Sequence, residues 1–99
     1  MDPTLKIVLG PNKGCERKIS ANVFLIGRHD SNDLIVKDVF ISSFHCEIKL
    51  MENGSFRLYD KSSNGTWVNG CNVHNKSVVL RDKSTIGVGP LLLLFEYNE

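Results

Sequence analysis

Three short polar stretches hold most of the residues that could do chemistry in this chain of 99 residues. They are Gly27-Arg28, then Ser42-Ser43-Phe44-His45, then Ser63-Asn64-Gly65-Thr66 with Asn69-Gly70 close behind. They offer a guanidinium and several hydroxyls, which are donors that suit phosphate oxygens. They contain no acid–base pair and no residues with the spacing of metal ligands. The chemistry they predict is the holding of a phosphate group rather than its cleavage.

The rest of the sequence is typical of short β-strands, which would carry these stretches on the loops between them. Runs rich in β-branched and aromatic residues recur about every eight to twelve residues, separated by Gly, Asn, Asp and Ser. No window shows the sustained apolar period of a helix. The predicted strands are Leu5–Leu9, Val23–Ile26, Leu34–Val36, His45–Leu50, Phe56–Tyr59, Ser77–Leu80 and Leu91–Tyr97, with shorter ones at Arg17–Ile19, Thr66–Val68 and Ser84–Ile86.

About ten or eleven short strands in so small a chain favour an all-β fold, a β-sandwich of two antiparallel sheets, because each amphipathic sheet must cover its apolar face. We expect the binding loops to gather at one end of this sandwich. Two Asn-Gly pairs predict tight turns, since both residues tolerate the positive φ of a type I′ hairpin. Asn53-Gly54 would join two antiparallel strands, and Asn69-Gly70 would lead into a possible strand at Asn72-Val73.

Composition limits the classes of protein to consider. With 41% apolar and 23% charged residues, the chain predicts a single domain over residues 1–99, with its own core. Its polar end, Asn98-Glu99, suggests a module of a larger protein. A net charge of +1 provides no continuous positive field. Direct binding to nucleic acid or to an anionic membrane is therefore not expected.

The cysteines and the ends of the chain predict an intracellular protein. Cys15, Cys46 and Cys71 are odd in number and lack the spacing of a disulfide framework or zinc site, so we expect reduced thiols in the core. No metal or other cofactor is expected. The N-terminus has no signal-peptide pattern, and the apolar run at 91–95 is too short to span a bilayer.

Read in chain order, Gly27-Arg28, Ser42-x-x-His45 and Asn64-Gly65-Thr66-x-x-Asn69-Gly70 resemble the signature of forkhead-associated (FHA) domains. The resemblance implies a β-sandwich that binds phosphothreonine. It makes Arg28 the principal phosphate contact and places Ser42 and Ser63 at phosphate-binding positions. Ser43 stands at the next phosphate-binding position, where a longer polar or basic residue is common. A short hydroxyl there implies the loss of one charge-assisted contact and a modest affinity.

The same resemblance implies roles for residues around the phosphate. Asn64 would hydrogen-bond the backbone of the ligand, and Phe40 lies beside a position that helps to select the residue three places after the phosphothreonine. The residues that would shape or brace the loops are Gly27, His45, Gly65, Thr66 and Asn69. The implied function is a phosphothreonine-dependent module that recruits its parent protein to phosphorylated partners in signalling. It would be a monomer without enzymatic activity, and its family suggests a nuclear location.

Alternatives remain for several of these residues. Arg28 could pair with Asp30 or Asp33 instead of a ligand, and Phe40 could be buried. His45 could activate Ser42 as a nucleophile, although the sequence shows no third group to orient the imidazole. The alternative function is a phospho-independent structural or self-association module that uses a sheet face or edge.

Overall fold

Eleven strands form two sheets in the computed structural model, which describes residues 2–98. In chain order the strands are β1 (Thr4–Leu9), β2 (Glu16–Lys18), β3 (Val23–Gly27), β4 (Leu34–Ile35), β5 (Cys46–Leu50), β6 (Phe56–Asp60), β7 (Trp67–Val68), β8 (Cys71–Asn72), β9 (Ser77–Leu80), β10 (Ser84–Val88) and β11 (Leu91–Glu96). One sheet has the order β2-β1-β11-β10-β7-β8 and the other β4-β3-β5-β6-β9. The predicted all-β sandwich is confirmed.

One pairing departs from the antiparallel rule. Strand β4 lies parallel to β3, with Ile26 opposite Leu34 and Gly27 opposite Ile35. The backbone bonds from Asp33 N–H to Leu25 O (2.8 Å) and from Val36 N–H to Gly27 O (2.9 Å) hold both ends of β4 against β3. Residues 28–33 therefore lead back along β3, and β4 then runs beside β3 in the same direction.

The core lies between the sheets and follows the alternation of the strands. In β10 and β11 every second residue is buried, and Ile86, Leu93 and Phe95 are fully covered. Ile26 and Leu58 of the other sheet are equally covered. Each such side chain contributes roughly 1.5–3 kcal/mol of burial free energy. This packing gives the loops a rigid base.

The two Asn-Gly pairs form different turns. Asn69 (φ 51°) and Gly70 (φ 82°) both have positive φ, so the predicted type I′ geometry is confirmed there. The type I′ prediction for Asn53-Gly54 is wrong, because only Gly54 has positive φ. Asn53 Oδ1 instead accepts hydrogen bonds from both the backbone N–H and the hydroxyl of Ser55. This side-chain bonding suits a three-residue loop, and the predicted antiparallel pairing of β5 with β6 is confirmed.

The expectation that all three cysteines are core thiols is wrong. Only Cys46 is buried, and burial raises the pKa of its thiol to about 12. Cys15 lies in the loop before β2, and Cys71 lies in the two-residue strand β8. Both are exposed and form no disulfide. Residues 2–98 contain no helix, and therefore none that is long and apolar enough to cross a membrane.

Candidate functional site

Three loops meet at a shallow depression of about 330 Å³. They are residues 28–33 after β3, residues 36–45 between β4 and β5, and residues 61–66 after β6; we call them the site loops. The depression is lined by Arg28, Val39, Phe40, Ile41, Ser42, Ser43, Ser63 and Asn64. All six residues that the sequence assigns to the phosphate or the peptide therefore share one surface.

Arg28 extends from the end of β3 with its guanidinium exposed. Its backbone is fixed on both sides, since its N–H donates to Ser42 O (3.0 Å) and its carbonyl accepts from Lys37 Nζ (3.0 Å). The alternative pairing of Arg28 with Asp30 or Asp33 is not found: Asp30 pairs with Lys37, and Asp33 accepts the Leu25 N–H. Among residues 2–98 the Arg28 guanidinium has no hydrogen-bond or ion-pair partner, so all five of its donors are available.

A hydrogen bond between two site loops fixes the serines. The Ser63 backbone N–H donates to Ser42 Oγ (3.1 Å), which ties residues 61–66 to residues 36–45. Because Ser42 Oγ accepts this bond, its own proton remains available to an incoming acceptor. Ser43 and Ser63 are exposed, and their hydroxyls make no hydrogen bond within the part of the chain that the structure describes. The loops thus present three hydroxyls close to one guanidinium.

His45 lies beneath these hydroxyls, with 1% of its surface exposed. Its Nδ1 accepts from the Ser42 backbone N–H (3.2 Å), so the ring proton is on Nε2, which donates to Gly65 O (3.0 Å). The imidazole therefore links two site loops. The nucleophile reading of Ser42 is wrong in this geometry, because the imidazole faces the Ser42 amide and its other nitrogen is occupied.

We expect acidification to weaken the fold through His45. Burial lowers the pKa of this imidazole, against the hydrogen bond to Gly65 and the nearby Asp60 charge, which raise it. Between the ordinary value of 6.5 and the lower folded value, the unfolded chain binds a proton that the folded chain excludes. Stability should therefore decline as the pH falls below about 6.5. An NMR titration of the His45 ring protons checks this, and titration at or above the ordinary value would contradict it.

Asn64 and Phe40 form one wall of the depression. Asn64 Nδ2 donates to the Phe40 carbonyl oxygen (3.1 Å), which leaves Asn64 Oδ1 open to a ligand N–H. Phe40 is 69% exposed, so the possibility that it is buried is excluded, and its neighbour Val39 is 82% exposed. Two apolar side chains therefore project beside the guanidinium and hydroxyls.

The charge of the depression suits an anion. Arg28 is the only charged side chain among the residues that line it, and no carboxylate lines it. The charge of the chain as a whole is nearly balanced, so the positive potential here is local. An anionic group could enter without displacing an existing ion pair.

The sequence model of the FHA domain family matches residues 24–89 of this chain, which span all three site loops. The chain belongs to the FHA domain family. The glycogen accumulation regulator GarA of Mycobacterium tuberculosis is 35% identical over 92 residues, covering 92% of this chain and 55% of GarA. The DNA damage response protein kinase DUN1 of Saccharomyces cerevisiae is 34% identical over 95 residues, covering 85% of this chain and 18% of the kinase. The chain thus spans about half of GarA and a smaller part of DUN1.

The structure of a solved FHA domain supports this family assignment. The N-terminal FHA domain of yeast Rad53p, in complex with a phosphothreonine peptide, superposes with a TM-score of 0.85. It is 27% identical, and the match covers 99% of this chain and 94% of that domain.

Gly27 permits the site loops of this FHA domain to pack closely. A Cβ built there would collide with the Ser43 carbonyl oxygen and would lie 2.9 Å from Asn32 Nδ2. Asn32 itself is buried, and its Nδ2 donates to the carbonyls of Ser43 (2.7 Å) and His29 (2.8 Å). Sequence reasoning missed Asn32, because an asparagine within His29-Asp30-Ser31-Asn32-Asp33 looks like any turn residue.

A buried carboxylate organises the third site loop. Asp60 Oδ1 accepts from the hydroxyls of Ser62 (2.6 Å) and Thr66 (2.7 Å), and Oδ2 accepts from the Asn75 N–H (2.8 Å). Burial would raise the pKa of Asp60, but these hydrogen bonds outweigh it and hold the pKa below its ordinary value. Ser62 Oγ in turn accepts from the Gly65 N–H (2.7 Å). Asp60 was not expected from the sequence to take part in the site.

Gly65, Thr66 and Asn69 lie outside the depression. Gly65 has a φ of 97°, and a Cβ there would lie 2.6 Å from the Asn72 amide oxygen. Thr66 is fully buried, where it holds Asp60. Asn69 Oδ1 accepts from the Thr85 N–H (2.9 Å), which ties the turn between β7 and β8 to β10. These residues contact the framework of the third loop and the sheet behind it, not the open surface.

Proposed function

We propose that this FHA domain is a noncatalytic reader of phosphothreonine, with the phosphate held at the depression between the site loops. The observation that carries the proposal is the unpaired Arg28 guanidinium beside the available hydroxyls of Ser42, Ser43 and Ser63. A planar donor fork and short hydroxyls match the oxygens of a phosphate. The complex of the Rad53p domain with a phosphothreonine peptide supports the choice of ligand.

The expected affinity is micromolar. Phosphothreonine carries a charge of about −1.5 to −2 near pH 7 and offers three acceptor oxygens. Each charge-assisted hydrogen bond contributes roughly 1.5–3 kcal/mol net. Three such bonds, less the cost of ordering a flexible peptide, give a binding free energy of about −8 kcal/mol. The open side of Asn64 would add a bond to the peptide backbone, as its position in the family implies.

The proposal is tested by calorimetric titration with one peptide in three forms, containing phosphothreonine, phosphoserine or unmodified threonine. We expect micromolar binding of the first form, weaker binding of the second because it lacks the γ-methyl, and no measurable binding of the third. Equal affinity for the phosphorylated and unmodified forms would overturn the proposed function.

Placing an arginine at position 43 should strengthen binding. Ser43 is exposed and its hydroxyl has no partner within residues 2–98, so a longer side chain fits without displacing a contact. Ser43→Arg adds a charge-assisted bond at some cost in side-chain entropy, and we expect about a threefold to tenfold gain in affinity. Ser43→Gln, which is long but uncharged, is the control. Equal affinity of the two variants would remove position 43 from the phosphate contacts.

The domain would serve to bring a parent protein to phosphorylated partners. Because the chain spans only part of its curated relatives, the consequence of binding would depend on segments outside it. Two relatives favour a regulatory role without catalysis: the glycogen accumulation regulator GarA, and the oxoglutarate dehydrogenase inhibitor of Corynebacterium glutamicum, which is 32% identical over 92 residues. The nuclear location stays a prediction without support from these relatives, since both are bacterial proteins.

Self-association through a sheet face is a second candidate, favoured by one row of residues. On the outer face of the six-stranded sheet, Leu9, Leu92, Gly87 and Trp67 lie opposite one another on four adjacent strands. Leu9 is 55% exposed and Trp67 is 43% exposed. Sedimentation of the wild type and of Trp67→Ser tests this function. A dimer that Trp67→Ser dissociates would support it, and a monomer at all concentrations would exclude it.

A further inference from the structure

A second depression, of about 300 Å³, opens at one edge of the sandwich, where β2 is the edge strand of one sheet and β4 is the edge strand of the other. Its apolar lining is formed by Ile7, Leu34, Val36 and Leu91, which belong to the core. Arg17 and Lys37 stand on its exposed rim. We call this depression the edge cleft. It exists because β2 and β4 have only three and two residues, too few to cover the core between the sheets.

The walls of the edge cleft are fixed before any ligand arrives. The loop between β1 and β2 is tied back to β1 by the bond from the Gly14 N–H to Ile7 O (2.7 Å). Gly10, at φ 99°, approaches Pro90 so closely that a Cβ would lie 2.5 Å from the Pro90 carbonyl oxygen. A preformed apolar depression avoids the ordering cost that a mobile surface would impose on binding.

The rim of the edge cleft leaves one cation, Arg17, largely available to an acidic group. The Arg17 guanidinium has one hydrogen bond within residues 2–98, to the adjacent Glu16 carbonyl, so most of its donors are unused. Lys37 is already engaged, since its Nζ pairs with Asp30 and donates to the Arg28 carbonyl (3.0 Å). The one carboxylate among the lining residues, Asp38, already accepts the Phe40 N–H. Asp38 keeps its negative charge, so the donors open to an acidic group at this rim are those of Arg17.

The edge cleft adjoins the depression at the site loops. Lys37 and Asp38 line the edge cleft, and the next two residues, Val39 and Phe40, line the other depression. Val39 and Phe40 are also the most exposed large apolar residues among 2–98. A peptide that crosses these two apolar side chains would pass from one depression to the other by way of Lys37 and Asp38.

We propose that the edge cleft is a second subsite for the same phosphopeptide, and that it takes an apolar side chain next to an acidic residue. The apolar side chain would lie against Leu34, Val36 and Leu91, and the acidic group would face Arg17. This inference rests on the proposed function, because the phosphothreonine at Arg28 anchors the peptide. The extended chain covers about 3.3 Å per residue, so about four to six residues reach roughly 13–20 Å from the anchor.

Calorimetry with two lengths of peptide tests the second subsite. The core peptide carries phosphothreonine with about three neutral residues on each side, and the extended peptides add a Leu-Glu pair about four to six residues away, before or after the phosphothreonine. We expect one of the two extended peptides to bind at least about fivefold tighter than the core peptide. Arg17→Glu should abolish this gain and leave the affinity for the core peptide unchanged. Lys76→Glu, an exposed site that lines neither depression, is the control with the same change in charge.

Cysteine protection gives an independent readout. Cys15 lines the edge cleft, whereas Cys71 lines neither depression, and both thiols are exposed. The tighter extended peptide should slow alkylation of Cys15, relative to the core peptide, without changing that of Cys71. Failure of the core peptide to bind would overturn the proposed function, whereas binding of the core peptide without a gain from either extension would overturn the subsite alone. An equal loss of affinity for both peptides in Arg17→Glu would also overturn the subsite, because it would show a general effect of charge.

Discussion

Replacing Arg28 with alanine should weaken binding of a phosphothreonine peptide at least about tenfold and leave the fold intact. The side chain makes no hydrogen bond or ion pair within residues 2–98 that the variant would lose, and the backbone bonds of residue 28 to Ser42 and Lys37 do not involve it. The lost interactions form only with the ligand. Calorimetric titration measures the change in affinity, and thermal unfolding measures the stability.

Two further variants make the Arg28 experiment specific. Arg81→Ala changes the charge equally at an exposed position that does not line the depression, so its affinity should match that of the wild type. Arg28→Lys keeps the charge but lacks the planar donor fork, and we expect an intermediate affinity. If Arg28→Ala bound as tightly as Arg81→Ala, Arg28 would have no part in holding the phosphate.

Replacing Asp60 with alanine should have the largest effect on stability. The change leaves the hydroxyls of Ser62 and Thr66 and the Asn75 N–H without their buried acceptor. Each buried donor left unsatisfied costs about 1–3 kcal/mol, so we expect the free energy of unfolding to fall by about 3 kcal/mol or more. Urea denaturation measures this change.

The control for Asp60 is an aspartate with a single bond at the surface. Asp33 is exposed and accepts the Leu25 N–H (2.7 Å), so Asp33→Ala should cost much less stability than Asp60→Ala. Asp60→Asn retains a side-chain oxygen, so its loss of stability should lie between those of the two alanine variants. Equal losses for Asp60→Ala and Asp33→Ala would show that the buried carboxylate does not organise the third site loop.

The sequence predicts most of the sandwich because alternation is a local signal. Ile86 and Val88 in β10, and Leu93 and Phe95 in β11, show the inward positions directly. The direction of β4 is not a local signal. A strand of two residues, Leu34 and Ile35, can take either orientation, and only the backbone bonds to β3 from the residues that flank it make it parallel.

The candidate site divides in the same way. Arg28, Ser42 and Asn64 could be located from short motifs, because each follows or precedes a recognisable strand. The role of Asp60 could not, because it depends on where Ser62, Thr66 and Asn75 fold around it. A carboxylate at the end of a strand looks like a turn residue until its donors are known. Asn32 was missed for the same reason, since its partners are backbone carbonyls of two loops.

The central claim is that a phosphothreonine is held between the site loops, and mapping by NMR tests it most directly. Amide spectra recorded with a phosphothreonine peptide and with its unmodified form should differ chiefly at Arg28, Ser42, Ser43, Ser63 and Asn64. The outer face around Trp67 should be unaffected. Perturbations that are the same for both peptides, or that centre on Leu92 and Trp67, would contradict the claim.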